Sequence, residues 1–89
     1  MKTYLIGYDL NKTGQDYQTL IVEKKKLGLW WHCLDSTFII KNDSTSSDIR
    51  DYLKKYIDSN DELLVVRLSG EGAWTGFDQV CSEWLKTNL

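Results

Sequence analysis

The chain has 89 residues, of which 42% are hydrophobic and 12% aromatic, with four tryptophans and no proline. This composition excludes an intrinsically disordered segment, and the length predicts one domain over residues 1–89. The formal net charge is −2, so the chain has no general positive field that would attract phosphate, which argues against non-specific nucleic-acid binding.

The N-terminal sequence and the two cysteines predict a cytoplasmic protein. The chain does not begin with the charged and then apolar pattern of a signal peptide, and no stretch reaches the roughly 20 apolar residues of a membrane span. We therefore expect no membrane partner. Cys33 and Cys81 are too few and too far apart in sequence for a disulfide framework or a zinc site. We predict that both are reduced thiols.

The first half of the chain predicts a strand, a helix and a hairpin. Residues 3–9 form an apolar run that ends in Asp9 and is followed by a polar turn. Residues 15–27 carry apolar side chains at helical spacing. Two short β-rich runs then follow at residues 29–34 and 37–40, separated by Asp-Ser, and they predict a hairpin.

The second half predicts two helices around one strand. Residues 45–57 place apolar side chains at i, i+3, i+4, i+7 and i+8, and Thr45 and Asp48 have the spacing of a capping box. Residues 63–68 form a nearly continuous apolar strand. After a loose segment, a short helix is expected over residues 78–86.

The order β-α-β-β-α-β predicts a ferredoxin-like α+β fold. Its four-stranded antiparallel sheet has the order 4-1-3-2 with two helices on one face, and the short C-terminal helix is added to it. The core of the domain is residues 3–68 and the extension residues 69–89. The strands at 37–40 and 63–68 are apolar at consecutive positions, so the second face of the sheet must also be covered. A second copy of the chain and the C-terminal helix are the two alternatives.

This topology predicts where a metal would bind. Asp9, the hairpin with Asp35, and the turn with Asp58 and Asp61 all fall at one edge of the sheet, where their oxygens suit Mg²⁺ or Mn²⁺. Asp9 and Asp35 are the predicted ligands, with Asp9 as the candidate catalytic residue. The alternative is that these aspartates only cap strands and form turns.

Residues 4–10, Tyr-Leu-Ile-Gly-Tyr-Asp-Leu, followed by a helix, a hairpin and a second βαβ half, resemble the CRISPR-associated adaptation protein called Cas-two and the related virulence-associated protein D ribonucleases. Small, mostly uncharacterised bacterial and phage proteins of that superfamily are similar at residues 30–32, 34–37, 59–65 and 72–77. The resemblance implies a ferredoxin-like homodimer in which Asp9 matches the strand-end aspartate proposed to bind a divalent metal at the dimer axis for phosphodiester cleavage. This chain departs from the family in its acidic charge and in its C-terminal helix, where relatives usually exchange a strand.

Two functional hypotheses follow. The first is a metal-dependent nuclease or nucleic-acid binder that uses Asp9 with Mg²⁺ or Mn²⁺ and contacts phosphate through Lys12 and Lys41. The second is a non-enzymatic dimeric interaction or regulatory module that keeps the fold without the chemistry. Local charge discriminates them, because a nuclease needs cations beside Asp9, and Lys2 is the other candidate near a strand end.

Overall fold

A computed structural model describes residues 1–9 and 28–89 of the chain. The helix predicted over residues 15–27, and Lys12 with it, lie outside the described residues. Neither α-helix in the described ranges is long and apolar enough to cross a membrane. The elements are β1 (Lys2–Asp9), β2 (Trp30–Leu34), β3 (Thr37–Asn42), α1 (Ser46–Leu53) followed by a 3₁₀ turn (Lys54–Tyr56), β4 (Glu62–Arg67) and α2 (Gln79–Asn88).

The four strands form one antiparallel sheet with the order β2-β3-β1-β4. Strand β1 pairs with β3 on one side and with β4 on the other, and β2 pairs with β3. The edge strands are therefore β2 and β4. Over residues 1–9 and 28–89 the chain is an α+β protein with a four-stranded antiparallel sheet and two α-helices, and this arrangement is compatible with the predicted ferredoxin-like fold.

The main core lies on one side of the sheet, which we call the inner face. Side chains alternate between the two faces of a strand, so every second residue of β1 and β3 points to the same side. Helix α1 packs there through Ile49 and Leu53, and no side chain of this cluster is more than 8% exposed. The strand residues of the cluster are Tyr4, Ile6, Tyr8, Phe38 and Ile40.

Helix α1 begins where the sequence predicts it. The Thr45 hydroxyl oxygen accepts a hydrogen bond from the Asp48 N–H at 3.1 Å, and the Asp48 carboxylate accepts one from the Thr45 N–H at 3.5 Å. This capping box is confirmed. The predicted C-terminal boundary at residue 57 is wrong, because the α-helix ends at Leu53 and a 3₁₀ turn follows. Such a turn tightens the helix end and keeps Tyr56 against the core.

The predicted hairpin is present, with a two-residue turn and a bulge. Trp31 pairs with Ile39 and Leu34 pairs with Thr37, so two residues of β2 lie opposite Phe38 alone. One of them, His32, stacks its ring on Phe38 at a centroid distance of 3.8 Å. The other is Cys33, which belongs to the hydrophobic cluster on the opposite side of the sheet. The bulge thus redirects the side chains that follow it along β2.

Half of the second, outer face is covered by the C-terminal segment of residues 69–89, which we call the cover. Trp31 and Ile39 of the sheet are buried beneath it and pack against Leu85 of the cover. The Trp31 indole N–H donates a hydrogen bond to the Cys81 carbonyl at 3.2 Å. Of the two expected occupants of this face, the C-terminal helix therefore covers the half formed by β2 and β3.

A disulfide bond joins Cys33 of β2 to Cys81 of α2, with their Cα atoms 6.4 Å apart. The prediction of two reduced thiols is therefore wrong. The sequence separation of 48 does not keep the cysteines apart, because the cover folds back across β2. The bulge in β2 places Cys33 on the side of the sheet where α2 lies.

Candidate functional site

The end of β1 meets the hairpin turn at one end of the sheet. The Tyr8 N–H donates to the Ser36 carbonyl at 3.1 Å, and the Tyr8 hydroxyl donates to the Asp35 carbonyl at 2.9 Å. On the other side of β1, Asp9 pairs with Glu62, the first residue of β4. The structure thus brings Asp9, Asp35 and Glu62 to the same end of the sheet, which we call the acidic end.

Asp9 and Glu62 are the acidic pair of this end that strand pairing places side by side. They are direct cross-strand partners and both are exposed. Side chains in such a pair lie on the same face with their Cβ atoms about 4.5–5.5 Å apart, and like charges placed there repel. The two residues line a cavity of about 360 Å³ together with Gly7 and Leu64. A divalent cation between the carboxylates would relieve their repulsion.

Asp58 and Asp61, the other two aspartates predicted at this edge, form hydrogen bonds with each other in the turn before β4. The Asp61 carboxylate accepts a hydrogen bond from the Asp58 N–H at 2.8 Å, and the Asp61 N–H donates to the Asp58 carbonyl at 3.1 Å. Within residues 1–9 and 28–89, no three side chains of His, Cys, Asp or Glu converge as a set that could hold a metal. A metal at the Asp9–Glu62 pair would need further oxygens from water or from a second copy, and Mg²⁺ usually keeps several waters.

The two described lysines that we expected near Asp9 lie at the other end of the sheet. Lys41 pairs with Thr3 near the start of β1, and its ammonium group donates to the Asn88 carbonyl at 3.0 Å. The Lys2 ammonium donates to the Ser44 carbonyl at 3.4 Å. Lys41 therefore stabilises the C-terminal end of α2, where a cation is favourable. Neither side chain flanks Asp9.

The outer face next to β4 is apolar and uncovered. Leu64 and Val66 are 57% and 37% exposed, although both belong to a strand. They pair with Gly7 and Leu5 of β1, so these four residues form one continuous patch. We call this patch the open half. Exposed apolar patches at the edge of a sheet are typical of interaction surfaces.

A second cavity lies between the cover and the sheet. Its volume is about 200 Å³, and aromatic and aliphatic side chains form most of its wall. The Trp31 and Phe77 rings meet edge to face at its side, with centroids 5.1 Å apart. The lining residues are Leu5, Trp31, Leu34, Thr37, Ile39, Leu68, Glu71, Gly72, Ala73, Trp74, Phe77, Leu85 and Leu89.

Comparison with known proteins identifies no family for this chain. No family model matches it, and no solved structure matches it significantly. The resemblance to the Cas-two-like proteins therefore stays a prediction. The function must be inferred from the acidic end, the open half and the cover.

Proposed function

We propose that this protein is a homodimeric interaction module and that its dimer forms through the open half of the outer face. The observation that carries the proposal is the exposure of Leu64 and Val66, two apolar neighbours on the same face of β4. A helix packs on the inner face and the cover packs on half of the outer face. The open half is a part of the apolar sheet surface that the cover leaves exposed.

A second copy of the chain is the partner that suits this surface. An apolar patch is complementary to itself, and a two-fold axis through it buries the same residues on both subunits. The resemblance to the Cas-two-like proteins also implies a homodimer. Strand β4 lies at the edge of the described sheet, and an edge strand is a position where a partner strand can add to a sheet.

Replacing Leu64 with Lys should convert the dimer to a monomer without unfolding it. The side chain is already more than half exposed, so the charge adds little cost in the monomer, whereas a dimer interface would have to bury it. Light scattering across a dilution series measures the mass. The matched control is Val80→Lys, which places the same charge on a 79% exposed position of α2 and should leave the dimer intact.

Two results contradict the dimer proposal. The first is a monomer of the wild-type protein at every concentration. The second is a Leu64→Lys variant that dimerises as strongly as Val80→Lys, which would place any interface away from the open half.

A second candidate function is a metal-dependent nuclease or nucleic-acid binder, and the Asp9–Glu62 pair favours it. In this proposal the two carboxylates hold Mg²⁺ or Mn²⁺, which would activate water and neutralise phosphate charge. Two-fold symmetry would bring a second such pair close if the axis passes near the acidic end. The position of Lys2 and Lys41 at the other end weakens this candidate, because neither of these two lysines can contact phosphate beside Asp9.

Replacing Asp9 with Asn should abolish any stabilisation by Mn²⁺. In the wild-type protein, metal at ten times its dissociation constant adds about 1.4 kcal/mol to the free energy of unfolding. Thermal melts with and without Mn²⁺ measure this shift, and assays on single-stranded RNA and double-stranded DNA measure cleavage. Asp43→Asn is the matched control. The exposed Asp43 follows the end of β3 that pairs with the start of β1, so it lies at the opposite end of the sheet from Asp9. Equal metal shifts in both variants, or none in the wild type, reject the metal site.

We also propose that the protein works in the cytoplasm. In the cytoplasm the Cys33–Cys81 disulfide would meet thiol systems that reduce most disulfides. In mesophilic cells a disulfide in that compartment is usually transient and serves catalysis or redox sensing.

A further inference from the structure

The disulfide lies at the edge of the sheet and not in a fully buried core. Cys33 sits in the bulge of an edge strand, and Cys81 sits in the first turn of α2. Both residues are half-buried, unlike the fully buried residues of the inner cluster. These two are the only cysteines in the sequence. Their bond is therefore the only cysteine cross-link that the chain can form within itself.

The other end of α2 is attached to the sheet by hydrogen bonds. The Asn88 carbonyl accepts from the Thr3 hydroxyl at 3.1 Å and from the Lys41 ammonium at 3.0 Å. Leu85, one turn earlier, is buried against the outer face. None of these contacts involves the disulfide. At the opposite end of the helix, the disulfide is accompanied by the hydrogen bond from Trp31 to the Cys81 carbonyl.

The loop of the cover depends on the position of α2. Residues 69–78 contain no helix or strand and lead directly into the helix. Trp74 and Phe77 of this loop enclose the cavity of about 200 Å³ against the sheet. Movement of the N-terminal end of α2 would open this cavity and expose Trp31 and Ile39, which are now 4% and 6% exposed.

We propose that the Cys33–Cys81 disulfide is a reversible redox latch, whose reduction by a dithiol releases the N-terminal half of the cover while its C-terminal end stays attached. The oxidised protein keeps its cavity closed and its outer face half covered. The reduced protein exposes Trp31 and Ile39, which extend the apolar surface of the outer face toward β2. The proposal concerns the cover and stands independently of the dimer and of the acidic end.

The reaction is a balanced thiol–disulfide exchange. A thiolate of the dithiol attacks one sulfur of the bond, which forms a mixed disulfide and releases the other cysteine as a thiolate. The second thiolate of the dithiol then displaces the remaining cysteine and closes the reductant's own disulfide. The protein gains two electrons, and its two thiolates take up two protons from water. Oxidised glutathione reverses the change.

Reduction of the folded protein tests the latch. We expect millimolar dithiothreitol to reduce the bond without denaturant, as measured by the mass added on alkylation of both cysteines. Hydrogen exchange should then become about tenfold faster or more over residues 74–84 and stay unchanged in β3, because only the cover opens locally. Oxidised glutathione should restore the slow exchange. A bond that is reduced only in denaturant, or equal exchange of the cover in both redox states, overturns the proposal.

Two variants separate the latch from general loosening of α2. Cys33→Ser should show fast exchange of the cover with or without dithiothreitol, and circular dichroism verifies that it is folded. Ser82→Ala changes the next residue of the same helix turn but keeps both cysteines, so it should respond to dithiothreitol as the wild type does. Slow exchange of the cover in a folded Cys33→Ser variant contradicts the latch.

Discussion

Replacing Leu53 with Ala should lower the free energy of unfolding by about 2–5 kcal/mol. Leu53 is 0% exposed and packs in the inner cluster with side chains from β1 and β3. The substitution removes three buried carbon atoms and leaves a cavity, which α1 and the sheet fill only in part. Urea melts followed by circular dichroism measure the loss, with one slope used for both proteins because the native fold is unchanged.

The matched control for this prediction is Val80→Ala. Val80 also lies in a helix but is 79% exposed, so its truncation should change the free energy of unfolding by no more than about 0.5 kcal/mol. A loss well below 1 kcal/mol for Leu53→Ala would mean that α1 does not pack on the sheet as described.

The sequence predicts those parts of the fold that short-range signals specify. The Thr45 and Asp48 pair marks the start of α1, because a capping box needs only the residues of one helix turn. The hairpin follows from two β-rich runs separated by two residues. The end of α1 was less predictable, because the apolar spacing of residues 54–57 fits both an α-helix and the observed 3₁₀ turn.

The contacts between distant segments were harder to predict. The disulfide depends on the path of the cover across β2 and on a bulge that shifts the register by one residue. A single-residue shift changes which face a side chain occupies, and periodicity alone does not reveal it. The sequence did indicate that the second face of the sheet needs a cover. It left open whether the C-terminal helix or a second copy provides it.

The sequence predicted where the candidate site lies better than it predicted which residues form the site. The topology alone predicts that Asp9 and Asp35 lie at one end of the sheet. Glu62 was missed as a member, because its pairing with Asp9 depends on the register between two strands that are far apart in sequence. The prediction that Lys41 contacts phosphate beside Asp9 did not take the antiparallel pairing of β3 with β1 into account. In an antiparallel pair the end of β3 lies beside the start of β1, away from Asp9.

Removing both cysteines as Cys33→Ser and Cys81→Ser should lower the free energy of unfolding by about 4 kcal/mol relative to the oxidised wild type. The bond closes a loop of 48 residues, and in the chain-entropy model such a crosslink mainly restricts the unfolded chain. Urea melts of the oxidised protein, the reduced protein and the double variant measure this. The reduced wild type should match the double variant within about 1 kcal/mol, and dithiothreitol should not change the variant.

The same measurement tests whether the disulfide and the inner core act independently. Leu53 packs on the inner face, whereas the disulfide joins elements of the outer cluster, and the two clusters share no buried residue. Their effects should therefore add within about 0.5 kcal/mol when Leu53→Ala is measured in the oxidised and in the reduced protein. A larger difference would show that the cover also supports the packing of α1 through the sheet. A double variant as stable as the oxidised wild type would mean that the disulfide does not contribute to the stability of the protein in solution.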